Sequence, residues 1–311
     1  MNLRNLVQSA LMLSAMTALL ALIGYVLAGR DGLLITAMFA VSFLTFGRSA
    51  SRTWMLKAIG AVKLRPNQAP VIHAILAELC RRVGLVRVPD IHLMDSETMF
   101  GFSAGNSEND AAIVLTAPLV QGMSAREITG VLAHEISHIV SGDLVVMGMA
   151  DVITRMTRTL SLLGLFLIML NIPLAAAGGE HLPWAALALL VIAPFSSFLM
   201  QMALSRSREF EADHRAVDIC GDPSALAQAL EKLEVQQRGL LRHVYLPHQP
   251  GTEPSLLRSH PITKERVRRI LSQSPAMSPL PAELISAHHG FPSDWSGTLG
   301  VPVKWLLRWW R

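Results

Sequence analysis

The sequence predicts a mainly α-helical membrane protein in which four transmembrane helices accompany a smaller α+β domain, itself split by the second pair of helices. Three observations carry this. The 311 residues are 51% hydrophobic and only 16% charged, with a mean hydropathy of +0.39, which is outside the range of soluble globular domains. The apolar residues are concentrated in four charge-free runs, and the basic residues flank those runs instead of forming a face of their own.

The composition also excludes several classes. Cys80 and Cys220 are too few for a disulfide framework and form no C-x-x-C pair, so a secreted cystine scaffold and a thiolate zinc knuckle both fall away. A net charge of +4 with pI near 9.4 is compatible with nucleic-acid binding, but aromatic residues do not interleave with the basic ones before the Trp-rich end, Val303 to Arg311, so no nucleic-acid partner is expected. That end, with Trp305, Trp309 and Trp310 among Lys304, Arg308 and Arg311, suits a lipid headgroup zone.

Each span follows from length. Asn5 to Gly29 is charge-free for 25 positions, enough for a helix crossing ~30 Å of hydrocarbon. A signal peptide is the competing reading, but Arg4 is a thin basic start and another apolar run follows at once. Gly32 to Gly47, at 16 residues, covers only about 24 Å and needs Arg48 to snorkel or the bilayer to thin. Thr159 to Gly179 and Leu182 to Ser205 are separated by Glu180 and His181 alone, and read as a helical hairpin in which Pro173 and Pro194 can introduce kinks. Buried core helices are the alternative for this pair.

Positive flanks set the orientation. Arg48, Arg52, Lys57, Lys63 and Arg65 follow the second run, Arg155 and Arg158 precede the third, and Arg206 and Arg208 follow the fourth. Both polar blocks therefore lie on the cytoplasmic side of an inner membrane. The expected domains are 1–48, an N-terminal hairpin; 49–158 and 206–272, two parts of one domain; 159–205, the second hairpin; and 273–311, a loose tail rich in Ser, Pro and His.

Within the polar blocks, residues 68–83 have helical apolar spacing that closes at Gly84. Arg87 to Met94 and Ala111 to Thr116 read as strands, and the Gly, Ser and Asn-rich stretch from Gly101 to Asn109 reads as a turn between them. Ser124 and Glu127 match a capping box, opening a helix toward Ser141 and Gly142. Helices are also expected over 143–158, 205–219 and 224–237, and from Pro261 to Leu271.

The capped helix carries His134, Glu135, Ile136, Ser137 and His138, the pattern H-E-x-x-H. Histidines four apart share one helical face, one turn apart, at the separation two ligands of a tetrahedral zinc ion require, and Glu135 projects beside them. Two histidines and a glutamate on a core-facing helix are costly unless paired or metal-bound. A third ligand is sought in the segment 205–214. On a helix, Glu209 and Asp213 share a face, so Glu209 can bind metal while Asp213 accepts the other ring N–H of a ligand histidine. His214 and Glu211 are rival ligands on these grounds.

His134 to His138, then a hydrophobic hairpin, then Arg208-Glu209-Phe210-Glu211-Ala212-Asp213, resembles the HtpX-type membrane zinc proteases, relatives of the CAAX prenyl proteases. The resemblance covers roughly residues 5–271. It implies a zincin-like metalloprotease domain and a Zn2+ ion held by His134, His138 and Glu209, with Asp213 behind them. Ser259-His260-Pro261 is similar to the family's downstream His-Pro element, which implies His260 as a transition-state hydrogen-bond donor. The chain departs from the pattern at Phe100-Gly101-Phe102-Ser103-Ala104-Gly105, where relatives have an Asn-Ala-Phe-Ala-Thr-Gly-like stretch beside the substrate strand.

The expected activity is therefore zinc-dependent hydrolysis of polypeptides at the bilayer, with Glu135 moving the proton. The substrate is expected to pair along an edge strand over Ala111 to Thr116, through Ala111, Ile113 and Leu115, because main-chain hydrogen bonds accept many sequences. Broad substrates such as damaged or misfolded membrane proteins suit that mode. The alternatives are narrow processing of prenylated proteins and a non-catalytic membrane scaffold. Intact Glu135 argues against the scaffold, and the scarcity of ionisable residues inside the runs argues against an ion path.

Overall fold

The computed structural model describes residues 3–46, 52–178, 183–244 and 263–286. The chain divides into two compact units, one made of residues 1–50, 145–207 and 254–259 and the other of the remainder.

In the first unit the helices are apolar because their outward faces have no polar work to do. It contains α1 (Leu3–Phe46), most of α6 (Asp143–Ala176) and the N-terminal part of α7 (Trp184–Cys220). Among the described residues three helices are long and apolar enough to cross a membrane, over Leu6–Ser42, α6 and α7. Leu34, Met38, Phe39, Phe166, Met169 and Ile192 are all more than half exposed, an arrangement that water would penalise and lipid would not. Small residues let backbones approach: a Cβ on Gly164 would lie 2.6 Å from Leu190 Cβ, and Thr154 and Ser197 share a 3.2 Å hydrogen bond. Pro173 and Pro194 sit inside α6 and α7, and neither ends its helix.

The first two expected runs form one element, α1, whose backbone leaves helical geometry at Ala28 (φ −146°, ψ 28°) and Gly29 (φ 60°, ψ −137°). A Cβ on Gly24 would meet Thr36 Oγ1 and come within 2.8 Å of the Gly32 carbonyl oxygen. Along a straight helix these residues would be about 18 and 12 Å apart. The chain thus folds back at Ala28–Gly29, and Gly29 supplies the left-handed residue that this reversal needs.

The second unit is built on a four-stranded sheet in the order β1 (Val62–Lys63), β2 (Asp90–Met94), β4 (Ala111–Thr116), β3 (Gly101–Gly105). β2 and β4 are parallel, while β1 and β3 run antiparallel to their neighbours. Ile91, Leu93, Ile113 and Leu115 pack with α3 (Pro70–Val83), α5 (Ala125–Val140) and α8 (Pro223–Val244) in the main core. Ala112 and Val114 are covered on the other face by Leu56 of α2 (Arg52–Ala58) and by Phe102. β4 is buried at all six positions, which accounts for its run of apolar residues without alternation.

Two expectations are corrected here. Gly101–Gly105 is a strand and not a turn, followed by a 3-10 turn at Glu108–Asp110. And β4 is not an edge: β2 and β3 occupy both its sides, so Ala111, Ile113 and Leu115 have no free main-chain groups for a substrate. Within the described residues 273–286, the chain is packed more closely than its composition predicts. Leu280 is buried in the main core, Arg82 donates to the Ser278 carbonyl at 2.8 Å, and Ala282–Ser286 forms the short helix α10.

The element that matters most, α5, starts where expected. Ser124 N donates to Glu127 Oε2 at 2.7 Å and Glu127 N to Ser124 Oγ at 3.3 Å, a complete capping box. Lys232 of α8 adds an ion pair to Glu127 at 2.7 Å. Gly130 allows α8 to lie close against α5, since a Cβ there would be 2.9 Å from Leu226 Cα.

Candidate metal centre

α5 presents His134 and His138 one turn apart, and α7 presents Glu209 opposite them. Their ligand-capable atoms all lie within 4.8 Å of one another. His134 Nε2 is 3.6 Å and His138 Nε2 3.9 Å from the Glu209 carboxylate, and the two Nε2 atoms are 3.2 Å apart.

The far side of each imidazole faces an acid. His138 Nδ1 hydrogen-bonds Asp143 Oδ2 at 2.7 Å, and His134 Nδ1 lies 3.1 Å from Asp213 Oδ1. A carboxylate holds the facing ring nitrogen protonated, which leaves a lone pair on each Nε2. Two lone pairs directed at one point 3.2 Å apart repel unless a cation sits between them. The surroundings of His138 favour its charged form. Burial pushes its pKa down, but the Asp143 hydrogen bond and the charges of Glu209 and Glu135 outweigh burial and raise it to about 9.

Acids and bases around the histidines are also unequal. Glu135, Asp143, Glu209 and Asp213 face Arg208 and Arg266, all of them buried, an excess of two negative charges that a divalent cation would cancel. Arg266, on α9 (Thr263–Leu271), donates Nε and Nη2 to the two oxygens of Asp213 at 2.7 Å each, and its Nη1 is 3.0 Å from Glu209 Oε2. Arg208 pairs with Asp143 and reaches the Ser141 carbonyl at 3.4 Å. The donor set, its tautomers and its charge all fit a metal ion.

Glu135 is buried beside this cluster, and Ser103 of β3 donates to its Oε2 at 2.5 Å and to its backbone carbonyl at 3.2 Å. Among the described residues, β3 has a strand on one side only. A carboxylate next to a metal site and hydrogen-bonded to an outer strand of the sheet is an arrangement for activating water against an extended peptide.

Of the residues expected from sequence, the structure brings together His134, Glu135, His138, Glu209 and Asp213. His214 is exposed, with its carbonyl taken by Gln273 at 2.8 Å, and Glu211 is outside the cluster. His260 lies outside the described residues. Four contributors escape the sequence reading: Ser103, Asp143, Arg208 and Arg266. For Asp143 the signal was the Gly142-Asp143 step, since a left-handed glycine (φ 71°) after α5 turns the chain back toward His138.

A mainly helical chain with apolar spanning helices, a small mixed sheet and this His, His and Glu cluster defines a membrane-embedded metalloendopeptidase, a hydrolase of polypeptides that spans the membrane more than once. The family model for peptidase family M48 matches residues 66–274, and the chain belongs to that family. A protease HtpX homolog of Methylibium petroleiphilum is 30% identical over 283 residues, covering 87% of this chain and 98% of the relative. One from Polynucleobacter necessarius subsp. necessarius is 31% identical over 279 residues, covering 86% and 95%. Among solved structures, the crystal structure of S. mikatae Ste24p is similar with a TM-score of 0.52 at 20% identity. That likeness covers 86% of this chain but 65% of Ste24p, and concerns the fold.

Proposed function

We propose that this chain is a zinc endopeptidase of the inner membrane whose catalytic domain faces the cytoplasm and which removes damaged or misfolded membrane proteins. The observation that carries this reading is the convergence of His134, His138 and Glu209 within 4.8 Å, beside Glu135 and its hydrogen bond to the outer strand β3. His134, His138 and Glu209 hold the ion and Asp213 fixes the ring of His134. When bound, zinc lowers the pKa of a water toward ~7 and polarises the scissile carbonyl.

Glu135 takes the proton from the attacking water and returns it to the leaving amine, work that a carboxylate within hydrogen-bond reach performs. Ser103 keeps that carboxylate turned toward β3 through its 2.5 Å hydrogen bond. An extended peptide docks along β3, residues 101–105, in place of the expected β4, and main-chain pairing selects extended, unfolded chains over any one sequence. His260, outside the described residues, is assigned the donation of a hydrogen bond to the transition state.

Four spans accompany this domain, two from the arms of α1 on either side of Ala28–Gly29 and two from α6 and α7. Residues 1–48 and 159–205 are the membrane parts, 49–158 and 206–272 the catalytic parts, and residues 273–286 are attached to the latter.

The experiment is cleavage of one reporter protein in folded and unfolded form by the purified chain in detergent with zinc, beside Glu135→Gln. Cleavage confined to the unfolded form and abolished by the substitution is the expected result. Equal cleavage of both forms would contradict the quality-control reading, and a narrow requirement for prenylated peptides would replace it with the processing alternative.

A further inference from the structure

We propose that the buried Asp143–Arg208 pair is the positioning device for His138, so that this metal ligand is held in place by the first residue of α6 and by a residue of α7 and not by α5 alone. The inference rests on the reading of His138 as a ligand, and goes beyond it by assigning what orients it.

The local sequence explains how Asp143 arrives. α5 ends at Val140, Ser141 caps it with its N–H on the Ser137 carbonyl at 2.9 Å, and Gly142 N bonds the Ile139 carbonyl at 3.1 Å. Gly142 has φ 71°, a conformation that side chains other than glycine's resist. This turn reverses the chain, so the carboxylate five residues after His138 returns to its Nδ1 at 2.7 Å. A continued helix would carry residue 143 to another face.

An aspartate alone in that place would be a poor anchor. Its side chain is 3% exposed, and a lone buried carboxylate would be free to swing and would lack a counter-charge. Arg208 prevents both. Its guanidinium, also 3% exposed, pairs with Asp143 Oδ1 while Oδ2 accepts from His138, so one oxygen is assigned to each partner. The Ser141 carbonyl, 3.4 Å from Nη2, takes part of the remaining capacity of the fork. The imidazole is then locked as the Nδ1–H tautomer with Nε2 toward the metal.

The two helices that carry this pair are the ones whose apolar stretches form the second membrane hairpin. Arg208 immediately precedes Glu209, so the residue that completes the metal site and the one that steadies His138 are adjacent on α7. Both contributions of α7 therefore depend on the same register of that helix.

The test is zinc affinity, measured by competition with a chromophoric chelator on the full chain in detergent, together with the visible spectrum of the cobalt(II)-loaded protein. Asp143→Asn keeps the shape but loses the charge that Arg208 and the ring N–H need. It is expected to weaken zinc binding by about 10–100-fold and to change the cobalt bands, and Arg208→Gln is expected to do the same with Asp143 in place. Lys232→Gln, which breaks the more exposed ion pair between α8 and Glu127 of α5 away from the histidines, should leave both readouts as in wild type. Wild-type affinity and spectrum in both pair variants would overturn the inference, as would an equal loss in Lys232→Gln. Should Asp143→Asn fail to fold, Arg208→Gln decides alone. His138→Ala separates this from the reading beneath it: unchanged zinc affinity there means His138 is no ligand, whereas a loss there with none in the pair variants refutes only the positioning role.

Discussion

Arg266 grips Asp213 through two parallel 2.7 Å hydrogen bonds while its remaining nitrogen lies 3.0 Å from Glu209. One side chain, carried by α9, thereby ties the proposed third ligand to the acid behind His134. Arg266→Gln leaves two buried carboxylates without their cation. The expected cost is about 3–5 kcal/mol of stability and roughly 10–100-fold in metal affinity, read by thermal unfolding and chelator competition. Arg266→Lys should recover little, because an ammonium cannot span both oxygens of Asp213 and Glu209 as well.

The capping box of α5 makes stability depend on acid. Burial alone would raise the Glu127 carboxyl, but the Lys232 ammonium and the Ser124 N–H and hydroxyl hold it below the usual carboxylate range. A depressed folded-state pKa contributes stability that is fully present above the unfolded value of ~4.3 and is lost as pH falls through the folded value. Glu127→Gln should therefore destabilise by about 1 kcal/mol near neutrality and by progressively less below pH ~4, as followed by unfolding at several pH values. An equal effect at all pH values would contradict this account of the cap.

Gly130 sets the distance between the metal-binding helix and α8. In Gly130→Ala the new methyl meets the backbone of Leu226 at 2.9 Å, which cannot rotate away. The expected loss is about 1–3 kcal/mol, with activity per folded molecule falling as α5 shifts. Wild-type stability would mean that the close approach is not tight.

The proposed four-span topology predicts where labels react. Cysteines placed at Asp31 and Glu180 should be modified by an impermeant maleimide from the side opposite the catalytic domain, and one at Glu78 only after permeabilisation. The native thiols give little background, since Cys80 and Cys220 are buried and burial pushes the Cys80 thiol up to about 12. Labelling of Asp31→Cys and Glu78→Cys from one side would refute the first hairpin as a pair of spans.

Much of the site is legible in the sequence because its signals are local. A capping box at Ser124 and Glu127, histidines four apart and a glutamate and aspartate four apart are each defined by one helical turn. What escapes is set by distant partners. Gly101–Gly105 has turn-like residues and becomes a strand only because β4 offers it a ladder, with Gly101 opposite Leu115 and Gly105 opposite Ala111. That ladder also removes the edge from β4, so the strand expected to pair with substrate has a neighbour on each side. Arg266 and Arg208 look like solvated charges until their acids, 53 and 65 positions away, are brought to them. Leu280 lies in a Ser and Pro-rich stretch whose composition conceals that it completes a core.

The most direct test of the central claim combines metal content with turnover in single preparations of wild type, Glu135→Gln and His138→Ala. The account predicts zinc-dependent cleavage of an unfolded protein by wild type, full zinc content with at least about 100-fold slower cleavage in Glu135→Gln, and loss of both zinc and cleavage in His138→Ala. Cleavage at the wild-type rate by Glu135→Gln, or by metal-free His138→Ala, would contradict it.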